Sequence, residues 1–211
     1  TQNQALSALV FLYRDLYERD LEGLDRTVRA RAPRVLPVVL TRSEVGAVLA
    51  KLEGVNWLCA CLLYGSGLRL LECLRLRVKD LDFGHHQVIV RQGKGRRDRS
   101  SILPRMLEDP LHEHLANTRR LHDSERASGR GRVSLPAGLA RKYPSAPTHW
   151  IWQWVFPAPR LFTDRHSGAV LRHHVHETTL QRAVKKAAQR APIPKRVTCH
   201  TFRHSFATHL L

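Results

Sequence analysis

A mainly α-helical fold with a small antiparallel β-hairpin or sheet, an α+β arrangement, is predicted from three features of this 211-residue sequence. Apolar residues recur at three- and four-residue spacing over much of the chain, the pattern of helices buried along one side. One pair of segments, Gln87 to Arg91 and Arg99 to Leu103, alternates as half-buried strands do, around a glycine-rich turn. Helix start and stop signals, among them Thr41-Arg-Ser-Glu44 and the prolines at 192 and 194, stand at the edges of the helical stretches. With 43% hydrophobic residues the chain can bury one core and carry a piece of a second domain.

In chain order, Leu6, Leu9, Val10, Tyr13 and Tyr17 share a helical spacing, so residues 1–25 read as the end of a helical unit. Residues 26–37 lose periodicity, gain arginines and hold two prolines, as a basic linker would. Arg29, Arg31 and Arg34 there can follow a polyanion backbone, or the segment is a plain solvated connector. A second domain, residues 38–211, opens on the Thr41/Glu44 capping box, and Val45, Val48, Leu49 and Leu52 give its first helix an apolar face. Trp57 to Tyr64 is apolar all round and predicts a buried helix, broken at Gly65-Ser66-Gly67 before another begins at Leu68. Arg69 then falls in the first turn of that helix, where the dipole repels a cation. Something negative must hold it, either a phosphate or Glu72 three residues on.

The hairpin tip carries Gly93, Lys94, Gly95, Arg96 and Arg97. A lysine between glycines can swing into a DNA groove, or the tip is an ordinary solvated turn; the phosphate-loop spacing is absent. Leu107, Leu111 and Leu115 form a stripe running toward His122, with an irregularity expected at Pro110. The stretch from Ser128 to Pro159 differs in kind, with five prolines and the aromatics Tyr143, Trp150, Trp152, Trp154 and Phe156. It reads as an insertion packed on a core. Alternate tryptophans at 150, 152 and 154 could turn one face inward and leave the other to stack on an unpaired base, or all could simply pack. A helix over 174–190 follows from Leu180, Ala183, Val184, Ala187 and Ala188. Thr198 caps the closing helix, on which Phe202, Phe206 and Leu210 define the expected buried face. On the same helix His200 and Arg203, three apart, can aim an imidazole and a fixed cation at one group.

Charge narrows the partner. The net charge is +17 and the pI about 10.9, mostly from arginine, whose planar fork suits phosphate. From Arg165 onward there are nine Lys or Arg and one acidic residue, so that half should face a polyanion, most simply nucleic acid. No apolar run approaches the ~18 residues a membrane span needs, and no secretory signal is visible, so a cytoplasmic protein is expected. Cys59, Cys61, Cys73 and Cys199 show no Cys-x-x-Cys spacing and read as reduced core thiols. His173, His174, His176 and Glu177 invite a metal reading, but no His-Glu-x-x-His or completing ligand set is present. Neither metal nor cofactor is expected, and these histidines should lie at the surface or face phosphate.

Taken together, SGLRLLECLRLRVKDLD, the hairpin VRQGKGRRDR and the closing HTFRHSFATHLL resemble the tyrosine recombinase (phage integrase) family, in the family's order and over nearly the whole chain. RKYPSAPTHWIWQWVFP is similar to an insertion of the integron integrases. The resemblance implies a tyrosine recombinase catalytic domain over 38–211, with an integron-type insertion at about 128–159, preceded by the end of a helical core-binding domain. Displacement at a phosphodiester without metal places extra charge on the non-bridging oxygens, which guanidiniums held in advance stabilise. By the resemblance, Arg69 and Arg203 are that clamp and Lys94 protonates the departing 5′ oxygen. His200 bonds the phosphate or assists proton transfer, and Glu72 orients Arg69. Arg96, Arg97, Arg29, Arg31, Arg34 and the three tryptophans are the expected DNA contacts.

The implied activity is integration and excision of gene cassettes through a 3′-phosphotyrosyl intermediate, on duplex and folded single-stranded sites, by protomers assembled as tetramers. In the family a second histidine and the nucleophilic tyrosine follow beyond the His-x-x-Arg helix, and this sequence stops before either. The chain as given is therefore expected to bind DNA without forming the covalent link. A non-catalytic DNA-binding protein with a recombinase-like fold is the competing reading, and an RNA-binding protein a weaker one.

Overall fold

A computed structural model describes residues 2–19, 36–91, 98–165 and 167–210 of the chain. It divides into two units, Thr1–Leu36 and Pro37–Leu211. In the first, helix α1 (Gln2–Phe11) runs on into a π-helical turn, Leu12–Leu16, and none of its apolar residues is buried. Arg29, Arg31 and Arg34 lie outside the described residues.

In the second unit, α2 (Arg42–Leu49) starts as its capping box dictates. The Thr41 hydroxyl accepts the Glu44 N–H at 3.2 Å, and the Glu44 carboxylate accepts the Thr41 N–H at 2.7 Å. Helix α3 (Gly54–Gly65) buries every residue from Leu58 to Leu63, which explains its lack of a polar face. It is the centre of the core, packed on α7 (Glu177–Arg190) and α8 (Cys199–His209) and followed after the glycine break by the short α4 (Leu70–Leu74). Leu62, Leu63, Leu74, Val88, Leu111, Phe156, Leu180 and Phe202 meet in that core.

Three strands, β1 (Leu81–Asp82), β2 (Gln87–Val90) and β3 (Arg99–Ile102), pair antiparallel in that order. Val88 and Val90 point into the core, and Val90 lies opposite Arg99. The hairpin tip with Lys94, Arg96 and Arg97 lies outside the described residues. Helix α5 (Glu108–Ala127) runs unbroken through Pro110, against expectation, and the short α6 (Ala137–Lys142) follows it. Pro110 stands in its first turn, where a main-chain N–H has no helical acceptor to lose.

Two further differences concern β-structure. Residues 170–174 form β5 (Val170–His174), paired with β4 (Pro157–Thr163), and α7 starts only at Glu177, with the His176 ring capping it by accepting the Thr178 N–H. Arg172 and His174 are the inward-facing residues of β5, so the expected surface position of His174 is corrected; His173 and His176 are exposed. The tryptophans do not alternate across a strand either, since Trp150–Trp152 form a 3-10 turn. Trp154 is buried, its indole N–H donating to the Arg172 carbonyl at 3.0 Å. The Arg77 guanidinium lies 3.1 Å from the centre of that ring and donates to the carbonyls of Trp152 and Ser134. The Lys79 ammonium covers Trp152 at 3.2 Å, and Arg119 sits 5.2 Å from Trp150. Trp154 is thus unavailable to a base, and this aromatic stretch is fastened to its surroundings by cations. Burial draws the Arg77 guanidinium down to about 10, with Asp80 opposing, which leaves it charged at neutral pH.

Helix α8 is capped by Thr198, whose hydroxyl accepts the Thr201 N–H. Its buried face is Cys199, Thr201, Phe202 and Ser205. Leu210 is 63% exposed, contrary to expectation, because it is the C-cap; on the last turn His209 faces α3 instead and bonds the Tyr64 hydroxyl at 2.8 Å. The buried Ser205 hydroxyl donates to the Thr201 carbonyl and accepts the N–H of Leu40 at 2.9 Å. Nearby, Lys195 donates to the Val39 carbonyl and to Glu44.

Candidate active site

The site begins with a close approach of backbone to ring. Gly67 has φ +58°, and a Cβ built on it would lie 2.3 Å from the Phe206 ring of α8. Glycine alone permits both the left-handed turn and that contact. The approach lets Arg203, one turn before Phe206, donate to the Gly67 carbonyl. Two residues past the turn, Arg69 is the N-cap of α4, because the helix begins at Leu70, two residues later than expected. Glu72, in the first turn of α4, accepts the Arg69 N–H at 2.8 Å on Oε2 and its guanidinium at 2.6 Å on Oε1. A carboxylate at a helix N-terminus is favoured by the dipole, so the acid pins the cation that the dipole would repel.

Two more guanidiniums converge on the same carboxylate. Arg99, from β3, donates to Oε2 at 2.6 Å, and Arg203 Nη1 lies 3.7 Å from it. The Glu72 side chain is 10% exposed, against 37%, 34% and 29% for Arg69, Arg99 and Arg203. The acid therefore sits beneath and the cations open to solvent. Three guanidiniums over one carboxylate leave two positive charges in excess, an anion site by charge and by geometry. Burial works against the ionised form of Glu72, but the N–H and guanidinium of Arg69 and the charge of Arg99 outweigh it and hold the carboxyl below its ordinary value. Arg203 is lowered by burial first and by Arg69 and Arg99 next, with Glu72 opposing.

His200, exposed in the first turn of α8, is lowered by burial and then by the charges of His204, Arg203 and Arg69, which favours the neutral imidazole. Its ring meets that of His204 edge-on, with centroids 5.1 Å apart. A neutral imidazole beside paired guanidiniums can accept or donate a proton at a bound phosphate. The structure thus brings Arg69, Glu72, His200 and Arg203 together, while Lys94 lies outside the described residues. Arg99 is the member that sequence reasoning passed over. It stands 27 residues from Glu72, and only the strand register with Val90 could have hinted at its direction.

The other reactive side chains nearby are quiet. The four cysteines are free and buried, and burial pushes the Cys199 thiol up to about 11 and Cys61 to about 12. Among the described residues no group of three or more His, Cys, Asp or Glu could hold a metal, and no helix is long and apolar enough to cross a membrane.

A mostly helical unit with small antiparallel sheets and this arginine cluster has the fold of tyrosine recombinase catalytic domains. XerA recombinase superposes with a TM-score of 0.56 at 23% identity, covering 99% of this chain and 61% of that one. XerH bound to its palindromic difH substrate, in a post-cleavage complex, gives 0.60 at 18% identity over 99% and 53%. The sequence pattern of the phage integrase family matches residues 39–211, and the chain belongs to that family. Proteins named integrase/recombinase from Escherichia coli and Pseudomonas aeruginosa are each 50% identical over all 211 residues. Tyrosine recombinase XerA of Thermococcus kodakarensis is 29% identical over 99% of the chain. The chain spans 63% of the length of the first two relatives and 62% of the third.

Proposed function

We propose that the protein is a tyrosine-type site-specific DNA recombinase in which Arg69 and Arg203 hold the scissile phosphate and Glu72 orients Arg69. The observation that carries this reading is the set of outward-facing guanidiniums on one largely buried carboxylate, with the His200 imidazole on the same helix as Arg203. Negative charge that grows on the non-bridging oxygens during displacement meets donors already in place, and removing one such donor costs about 10²–10³-fold in rate. His200 bonds the phosphate or passes a proton, and Lys94 protonates the leaving 5′ oxygen. The names and structures of the relatives support DNA as the partner, because XerH is solved on its difH substrate. Arg29, Arg31 and Arg34 in a linker over 26–37, after the end of a core-binding domain at 1–25, and Arg96 and Arg97 on the hairpin complete the DNA contacts. Protomers assemble as tetramers on paired sites.

Within the family we assign the protein to the integron integrases, acting on gene cassettes, on the strength of the 128–159 insertion. The covering of Trp152 and Trp154 by Lys79 and Arg77 supports a structural part for those two rings. Trp150, partly buried and more loosely covered, keeps the base-stacking role. None of the four tyrosines of the chain, Tyr13, Tyr17, Tyr64 and Tyr143, stands in the sequence context of the family's nucleophile, and we assign that role to none of them. Incubating the chain with a nicked duplex site and with a folded single-stranded site tests the reading. Specific binding to both, weakened in Arg203→Ala and Arg69→Ala and with no covalent adduct, is expected. Equal binding by wild type and both variants refutes the clamp, and an adduct refutes the exclusion of these tyrosines.

A further inference from the structure

Glu72 accepts bonds from two arginines, and one of them, Arg99, the last residue of the hairpin motif, has no role assigned to it in the reading of the site. It leaves β3 at the base of the hairpin and reaches Glu72 Oε2 at 2.6 Å, the same oxygen that takes the Arg69 N–H at 2.8 Å. Arg203 stands 3.7 Å from that oxygen, outside hydrogen-bond range, and donates to the Gly67 carbonyl instead. The division of labour around one carboxylate is therefore uneven: Oε1 holds the Arg69 guanidinium, Oε2 holds Arg99, and Arg203 is left with its charge only partly neutralised.

We propose that Arg99 is a positioning residue of the phosphate clamp: by saturating Oε2 of Glu72 it keeps Arg203 from collapsing onto the carboxylate and holds Arg69 in its outward pose. The proposal rests on the reading of the site as a phosphate clamp. The chemistry is that of competition for one acceptor. A largely buried carboxylate oxygen that loses a charged donor takes the nearest replacement, since leaving it short of partners is costly. The nearest is Arg203, which needs to move by about an ångström. Once paired there, its guanidinium is turned inward and offers the anion a neutralised ion pair instead of a free fork. Arg99 itself need not touch the anion, because its effect is passed through Glu72. It also ties the base of the hairpin to α4, so strand and helix present their cations from a fixed frame.

A double-mutant cycle on this chain tests the proposal, with inorganic tungstate as the phosphate-like probe. The side-chain Nε–Hε resonances of Arg69 and Arg203 in ¹⁵N-labelled protein report binding, and thermal melts establish that each variant is folded. Arg99→Met, with Arg99→Gln as a second neutral variant, should weaken tungstate binding about tenfold, within the span seen for directly coupled residues. It should also shift the Arg203 resonance before any tungstate is added. In a Glu72→Gln background, which removes the charge Arg203 would collapse onto, Arg99→Met should change affinity by less than about twofold. An equal loss in both backgrounds means that Arg99 acts on the anion directly and overturns the proposal, as does wild-type affinity in the single variants. If tungstate moves neither resonance in the wild-type chain, the phosphate clamp fails and the role of Arg99 falls with it.

Discussion

Replacing Gly67 by alanine should damage the fold and the site together, by an amount the geometry allows to be split. At φ +58° a Cβ costs about 1–2 kcal/mol for the left-handed backbone alone. The same Cβ would fall 2.3 and 2.4 Å from two carbons of the Phe206 ring, a separation that must open by more than an ångström. Overpacking of that kind costs about 1–3 kcal/mol, so the total is about 2–5 kcal/mol. Urea unfolding measures it as a lower midpoint at unchanged slope. Gly67→Ala/Phe206→Ala separates the two contributions: it removes the clash, so adding Gly67→Ala to Phe206→Ala should cost only the backbone part. Gly46→Ala is the control, since Gly46 lies inside α2 with nothing near its missing Cβ, and it should stabilise by about 0.5–1 kcal/mol. Because α8 must retreat from the glycine, Arg203 loses the Gly67 carbonyl and tungstate binding should fall as well. A Gly67→Ala protein with the wild-type midpoint would refute the argument that this approach dictates glycine.

Two further perturbations probe buried charge. Arg172 and Glu125 form an ion pair with side chains 8% and 9% exposed, so Glu125→Ala should cost about 3–5 kcal/mol by stranding the guanidinium. Replacing both partners, as Glu125→Leu/Arg172→Met, should cost far less, and comparable losses in the two unfolding curves would count against a stranded charge. His174 is drawn from its ordinary 6.5 to about 4, first by burial and then by His173, Arg75 and Arg77, with the Val175 carbonyl opposing. As pH falls the unfolded chain takes this proton first, so stability should decline between about 6.5 and about 4, by about 3 kcal/mol in all, and level off below. His174→Gln should flatten that part of the stability profile, and an unchanged slope would show that another group is responsible.

What could be read from sequence was whatever is written locally. The helix caps at Thr41 and Thr198, the all-apolar α3 and the alternating hairpin each declare themselves within a dozen residues, as does the Arg69-to-Glu72 spacing. Strand β5 escaped because its inward positions are filled by Arg172 and His174, whose polarity hides the period-two signal that burial would otherwise show. The tryptophans misled for the opposite reason, presenting a strand-like alternation over residues that turn as a 3-10 helix. Arg99 carried no local sign of its partner, which is brought to it only when β3 and α4 have both been placed.

The bond from the Leu40 N–H to Ser205 spans 165 residues of sequence. A ribosome adding about 5–20 residues per second takes roughly 8–33 s to cover that interval. Through all of that time the Leu40 amide and the apolar side of α3 that α8 will cover are without their partner, so the unit cannot close domain by domain as it emerges. Closure of this core waits for the helix that also delivers His200 and Arg203. This late-made helix is thus both the lock of this core and half of the anion site, and a nascent chain has no complete anion site until the core is also held in shape.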